Sequence, residues 1–504
     1  MKKPLQELKE LDAQIRTLEE VQAVLEWDQH VYMPERGVHA RSEQSAWIAG
    51  AIHEKHTSPR IGDLLDKLGA SDDTPLGSEQ LSDDDRRLVR AIYRDFKHAT
   101  RLPADLVSRI ARVTSIAQSV WAEARRKSEF ALFQPHLEEI VQLSLEVADR
   151  LGYREHPYDA LIDTYEPEMT TSEVARIFRD LRKGLVPLVR KIQAARQVNH
   201  SFLQKKYPVA GQEAFCRTIL EAMHFDMRRG RLDRSVHPFT TTLGPDDVRL
   251  TTRYDEDYLP TALFGTIHEA GHGLYELGFD REYHGSRLAA SVSLGIHESM
   301  SRFWENVIGR SRAFWHNFYP VLKAQFPDQL SGVDLESFYK AVNRVEPSLI
   351  RVEADEVTYS LHVILRFELE RMLIGRELKV SDVPGAWKEQ SRDLLGIVPQ
   401  NDATGVLQDI HWSGGMIGYF PTYALGNVYG LQFTSRLRKD IPDMDNRIRN
   451  GELEPIKTWL DTHIHALGRS RTPRELCEEV GGEAMTAGPF IDYLNTKYGD
   501  IYDF

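Results

Sequence analysis

Apolar residues recur at spacings of three and four along most of this chain, the period of a helix with one buried face. Leu5, Leu8, Leu11, Ile15, Leu18, Val21, Val24 and Leu25 set the first stripe, which Met33-Pro34 and Gly37 break. The same spacing predicts helices over 40–54, 84–97, 103–128, 135–151 and 212–223, and one from a cap at Thr171 or Ser172 to about 198. Downstream it predicts 298–308, 311–325, 334–343, 354–374, 383–394, 423–437, 443–451, 453–467 and 488–497. The acidic stretch 71–85 reads as a solvated loop. The pattern changes once. Residues 237–243 and 248–254 carry β-branched side chains on either side of Gly244-Pro245-Asp246-Asp247, which predicts a hairpin. An edge strand there offers backbone groups to an extended peptide. No solenoid-type repeat and no clear linker interrupt the chain. The expected fold is therefore mainly α: a single domain over 1–504, either one helical body or two helical lobes around a groove.

Directly after the hairpin comes Thr266-Ile-His-Glu-Ala-Gly-His-Gly-Leu-Tyr275. On a helix His268 and His272 lie one turn apart on one face, where two imidazoles share one zinc ion and Glu269 beside them serves as general base. Leu263, Phe264, Ile267, Leu274 and Leu277 supply the helix's apolar stripe, and Gly278 its stop. A catalytic zinc takes three protein ligands and keeps one position open. A metzincin would place glycine and histidine where this chain has Tyr275 and Gly278, so that class is rejected. Glu276 is too close on the same helix, and Glu282 falls in an expected loop. Glu298, opening the next predicted helix, is the best third ligand. His297 is the alternative ligand, or else a histidine facing the ligands or the substrate.

Composition narrows the remaining choices. With 41% hydrophobic and 28% charged residues, the chain is neither disordered nor membrane-embedded. A net charge of -13 without a basic stripe disfavours nucleic acid. The two cysteines, Cys216 and Cys477, are too few for a disulfide framework or a thiolate zinc site. No apolar segment follows the N-terminal lysines, so no secretory signal is read and a cytoplasmic protein is expected.

His268-Glu-Ala-Gly-His272 followed by His297-Glu-Ser-Met-Ser-Arg302 resembles the carboxypeptidase Taq family of zinc metallocarboxypeptidases. Further stretches agree with that family in order. They are Leu25-Glu-Trp27-Asp28-Gln29 with Met33-Pro34, His237-Pro238-Phe239, Asp247-Val-Arg249-Leu-Thr251, Ile350-Arg351-Val-Glu-Ala354-Asp355, and Gly405-Val-Leu-Gln408-Asp409-Ile-His411-Trp412. Met300 departs from the glutamine that many relatives carry. The resemblance implies an all-helical, grooved fold related to angiotensin-converting enzyme and the thimet-type oligopeptidases. It also implies a homodimer and removal of C-terminal amino acids with broad specificity.

Chemistry assigns the roles. Zinc on His268, His272 and Glu298 would polarise a water and the scissile carbonyl, and Glu269 would take the proton and pass it to the leaving amine. Cobalt or manganese also suits this ligand set. The oxyanion needs donors, and His411 and Tyr423, around the glycine-flanked stretch 404–415, are suitable. Their spacing resembles the substrate-binding pair of the related oligopeptidases; Tyr419 is the rival tyrosine. A peptide's free C-terminal carboxylate is best read by a bidentate arginine. Arg351 is the first candidate and Arg249 the second, unless each is spent on a structural acid: Glu353 or Asp355 for Arg351, Asp247 for Arg249. His237 either lines the cleft or braces the hairpin. An endo-acting oligopeptidase and a non-catalytic helical peptide binder are the competing expectations.

Overall fold

The structure is a computed structural model and describes residues 2–504. Its first stripe forms one long helix, Lys2–Val31, which ends just before the expected Met33-Pro34 break and buries Trp27. It pairs with Val38–His56. Two more helices complete an N-terminal group. Pro59–Lys67 starts at a Ser58 cap, and Asp83–Arg101 starts at a Ser82 cap with three aspartates in its first turn, where the helix dipole favours negative charge. Leu8, Ile15, Leu64, Leu65, Val89 and Ile92 form a small core of their own, into which Leu288 inserts from the rest of the chain. Beside Leu288, Arg287 is only 6% exposed. Its backbone N–H and Nε donate to Asp12 at 2.8 and 3.0 Å, and Nη1 donates to Asp95 at 2.6 Å. The N-terminal group is thus clasped to the segment leading into the helix that carries Glu298.

The main core runs through the other helices, among them Ala104–Lys127, Phe130–Leu151, Thr171–Ala194, Tyr359–Ile374, Pro421–Asp440 and Gly488–Tyr502. Three predictions need correction. Thr170, not Thr171 or Ser172, caps its helix: it is extended (φ -104°, ψ 155°) and forms a reciprocal capping box with Glu173. Pro135 lies inside its helix and does not open it. That helix begins at Phe130, whose N–H donates to Asp402 at 3.0 Å while Phe130 and Phe133 are buried. The short helices Pro59–Lys67, Pro157–Tyr165 and Pro473–Gly481 were not predicted, because so few turns set no long period; each instead carries proline in its first turn behind a side-chain cap.

The predicted hairpin is present as β2 (Thr240–Gly244) and β3 (Asp247–Thr252), paired antiparallel with Thr240 opposite Leu250. A further strand, β1 (Gly230–Arg234), pairs parallel with β3, giving the order β1-β3-β2. The sequence concealed β1 because Arg231, Asp233 and Arg234 show no apolar alternation. Gly230 starts it where a Cβ would lie 2.5 Å from both the Phe225 ring and the Val248 carbonyl oxygen. β2 is therefore an edge strand, and His237 lies just before it, exposed to solvent. Two cavities open beside the N-terminal helices. One of about 360 Å³ lies between β2 (Thr240, Thr241, Thr242) and Arg16, Glu19 and Glu20 of the first helix. Another, of about 620 Å³, lies beneath the N-terminal helices, with Tyr165 and Ile417 in its wall. Among the described residues no helix is long and apolar enough to cross a membrane.

Candidate active site

Two helices meet at the His-Glu-x-x-His motif. Pro260–Leu277 has proline in its first turn and ends at Gly278. Its apolar side is buried against β3 and the core, which turns His268 and His272 toward the second helix, Leu294–Arg302. That helix is capped by Ser293, so Glu298 sits in its second turn and does not open it as expected. Glycines permit the approach. A Cβ on Gly271 would lie 2.6 Å from Ser301 Cα, and one on Gly426, from Pro421–Asp440, would lie 2.6 Å from Glu298 Cγ. The helix that carries Glu298 is held between two close backbones. Substituting Gly271→Ala should therefore cost about 1–3 kcal/mol of stability by overpacking and weaken metal retention. Thermal unfolding and chelator competition check this; unchanged values for both would show that the helices yield at no cost.

His268 Nε2 and His272 Nε2 each lie 3.7 Å from Glu298 Oε2, and one ligand atom from each of the three residues falls within 4.8 Å of the others. Zinc bonds of about 2.0–2.2 Å at tetrahedral angles put donors roughly 3.3–3.6 Å apart, so the set fits after a small contraction. The outer nitrogens fix the tautomers. His268 Nδ1 lies 3.0 Å from Glu305 Oε2, and His272 Nδ1 lies 3.1 Å from the His297 carbonyl oxygen. Both partners only accept, so each Nδ1 carries the proton and each Nε2 lone pair faces the metal position. Burial opposes charge on His268, yet Glu298 and the Glu305 bond raise its pKa above the ordinary value. Burial, reinforced by His297 and His268, pushes His272 well below it. His297 is turned away as a ligand: its Nε2 meets Glu276 Oε1 at 3.0 Å, and its ring stacks on His272 at 4.1 Å.

Glu269 points from the same helix toward β2. Thr240 Oγ1 lies 2.7 Å from Glu269 Oε2. Burial raises the Glu269 carboxyl from its ordinary value, with His268 pulling the other way. That direction suits a base working near neutral pH.

The second half of the site comes from far along the chain. His411 Nε2 and the Tyr423 hydroxyl lie 3.3 Å apart, and the Tyr419 ring lies 5.2 Å from that of Tyr423. Burial, then Arg351, lowers His411 to about 4, so it is neutral at pH 7. Arg351 sits 4.9 Å from the Tyr423 ring but is only 4% exposed. Its Nε and Nη2 donate to Asp409 Oδ1 at 3.0 and 2.9 Å, and its Nη1 donates to the Tyr359 hydroxyl at 3.1 Å. The expected free bidentate fork is thus taken, and by neither Glu353 nor Asp355. Asp409 also accepts from Arg366 Nε at 2.7 Å, so one carboxylate faces two buried guanidiniums and the cluster keeps positive charge in excess. Arg249 is spent on Asp247, with bonds of 2.8 and 2.7 Å, and stacks on Trp27.

Arg302 joins the two halves: its Nε donates to Glu298 Oε1 at 2.7 Å and its guanidinium lies 4.4 Å from the Tyr359 ring. The sequence reading gave no role to Arg302, Glu305, Tyr359, Asp409, Arg366 or Thr240. Arg302 and Asp409 did stand in the quoted motifs. Glu305 lies inside the predicted helix 298–308, but its π-helical turn, Phe303–Gly309, aims it at His268 in a way that α-spacing does not anticipate.

The chain as a whole resembles known proteins. The model of the carboxypeptidase Taq (M32) metallopeptidase family matches residues 7–498. The chain is 42% identical over 508 residues to Thermostable carboxypeptidase 1 of Thermus thermophilus, covering 99% of this chain and 98% of that one. It is 39% identical to Carboxypeptidase 1 of Bacillus subtilis, covering 96% of this chain and 95% of that one. It superposes on the crystal structure of the M32 carboxypeptidase from Deinococcus radiodurans with a TM-score of 0.96 at 38% identity, covering 100% of both chains. The chain belongs to the carboxypeptidase Taq (M32) metallopeptidase family and is a metal-dependent carboxypeptidase acting on peptides.

Proposed function

We propose that zinc is the working metal, held by His268, His272 and Glu298, and that the enzyme trims amino acids one at a time from free C-termini with broad side-chain tolerance. The convergence of two Nε2 lone pairs and one carboxylate oxygen carries this reading; cobalt or manganese suits the same donors. Bound there, zinc supplies Lewis-acid polarisation of the scissile carbonyl and acidifies water. Glu269, steadied by Thr240, takes the water's proton and returns it to the leaving amine. Tyr423 donates its hydroxyl proton to the developing oxyanion, with neutral His411 beside it, and Tyr419 closes that wall. The extended peptide lies along the free edge of β2. Arg249 is left with a structural role, and exposed His237 braces the approach to the hairpin.

The excess charge around Asp409 favours a substrate carboxylate. Arg351 contributes to that attraction as a fixed charge beside Tyr423 and not as an open fork. A homodimer is supported by the family resemblance, and a cytoplasmic setting by two free, buried cysteines.

The test is a time course of amino-acid release from free and C-terminally amidated peptides, with and without chelator. Chelation should abolish release, and stoichiometric zinc should restore it. In Arg351→Gln the kcat/KM ratio of free over amidated substrate should fall about tenfold, the scale of one charge-assisted contact. An unchanged ratio would remove Arg351 from carboxylate recognition.

A further inference from the structure

Two fully buried carboxylates remain outside the mechanism. Glu166 and Glu370 are both 0% exposed, and no lysine or arginine hydrogen-bonds either one. Each accepts three hydrogen bonds. Glu166 receives them from Ser293 Oγ at 2.9 Å, Gly295 N at 3.0 Å and Tyr429 Oη at 2.8 Å. Ser293 and Gly295 begin the helix that carries Glu298. Tyr429 lies on Pro421–Asp440, which supplies Tyr423 and Gly426. Glu370 receives Tyr158 Oη at 2.5 Å, Trp412 Nε1 at 2.7 Å and Gly418 N at 3.0 Å. Trp412 follows His411, and Gly418 precedes Tyr419.

A single short element links the two. Pro157–Tyr165 bears Tyr158 at its start and runs into Glu166 at its end. Between them, Leu161 packs so closely that a Cβ on Gly418 would lie 2.7 Å from its carbonyl carbon. At the other end, a Cβ on Gly295 would lie 2.5 Å from Glu166 Oε2. Glycine at both contacts leaves the strut touching backbone on each side.

Burying an acid without a cation is costly, and burial raises both carboxyls to about 7. A leucine in either place would leave three donors unpaired. We propose that Glu166 and Glu370 are positioning residues for separate halves of the reaction: Glu166 sets Glu298 against the two histidines, and Glu370 sets His411 and the segment leading to Tyr423. This rests on the roles assigned above to Glu298 and to the His411–Tyr423 pair.

Glutamine tests each position, because it keeps the shape of glutamate while removing the charge and one of the two acceptor oxygens. In the full-length enzyme, Glu166→Gln should weaken zinc retention against a competing chelator about 10–100-fold, the scale for losing a partner that orients a ligand, and turnover should recover at saturating zinc. Glu370→Gln should keep its zinc. Its kcat should fall about 30-fold with KM nearly unchanged, part of the cost of a lost oxyanion donor. Its affinity for a phosphinic peptide, a tetrahedral mimic, should fall in parallel, while affinity for the product amino acid should not. Tyr429→Phe and Tyr158→Phe remove one donor each and should shift the same readouts in the same directions by less; they decide the matter if a glutamine variant does not fold. If all four variants lower only the melting temperature, the residues are merely structural and the proposal falls. It also falls if the two signatures are exchanged. Glu298→Ala and Tyr423→Phe run alongside. If Glu298→Ala keeps its zinc or Tyr423→Phe keeps its kcat, the underlying site assignment is wrong. If these controls behave and the glutamine variants do not, only the positioning roles fail.

Discussion

Glu269→Gln lowers turnover by about 10²–10⁴-fold, the range for removing a general base, and leaves the metal bound. Glutamine has the shape of glutamate, and its oxygen still accepts from Thr240 Oγ1. None of the three ligand atoms is touched, nor are the Glu305 and His297 contacts that orient the imidazoles. Only the capacity to take a proton disappears. Release of the C-terminal amino acid gives the rate, and metal analysis of the same sample gives occupancy. Turnover within a fewfold of the parent at full occupancy would move the base elsewhere; loss of the metal would mean that Glu269 also supports the ligands.

Asp409→Asn should destabilise the protein by about 3–5 kcal/mol, the scale for removing one partner from a buried ion cluster. Arg366 is 0% exposed and Arg351 4%, and both guanidiniums rest on this carboxylate. Asparagine accepts a hydrogen bond but cannot neutralise either cation. Nearby groups already register the positive field. Burial, then Arg366, lowers His362 to about 3, and burial, then Arg351, lowers His411 to about 4. Salt or an added carboxylate product should partly restore stability by supplying counter-charge. Denaturant titration of variant and parent measures the effect. A loss below about 1 kcal/mol, the level of an exposed ion pair, would show that the two arginines find other partners or water.

The metal helix was legible because its chemistry is local. His268, Glu269 and His272 occupy consecutive turns, and Glu298 required only the next helix. The other half depends on contacts between residues distant in the chain. Asp409 was quoted as part of a motif, but its two arginines lie 58 and 43 positions away, and no periodicity joins them. Arg351 stands out through its motif, yet the free fork expected of it is taken by Asp409, because burial and partners are properties of packing. Short helices escaped for a different reason: Pro157–Tyr165 has too few turns to show a stripe, although its proline and cap were visible. β1 escaped because its charged side chains bond sideways, Arg231 to Asp233, instead of marking a buried face.

The π-turn at Phe303–Gly309 has a consequence for descent. Such a turn is an α-helix with one residue added. At 3.6 residues per turn, deleting that residue rotates everything beyond it by about 100°. Glu305 would then leave His268, and Arg310 would leave Glu305, which it now meets at 3.1 Å. Length in this stretch is therefore under stronger constraint than side-chain identity: a lineage can exchange its apolar residues, but it cannot lose one and keep the imidazole aimed.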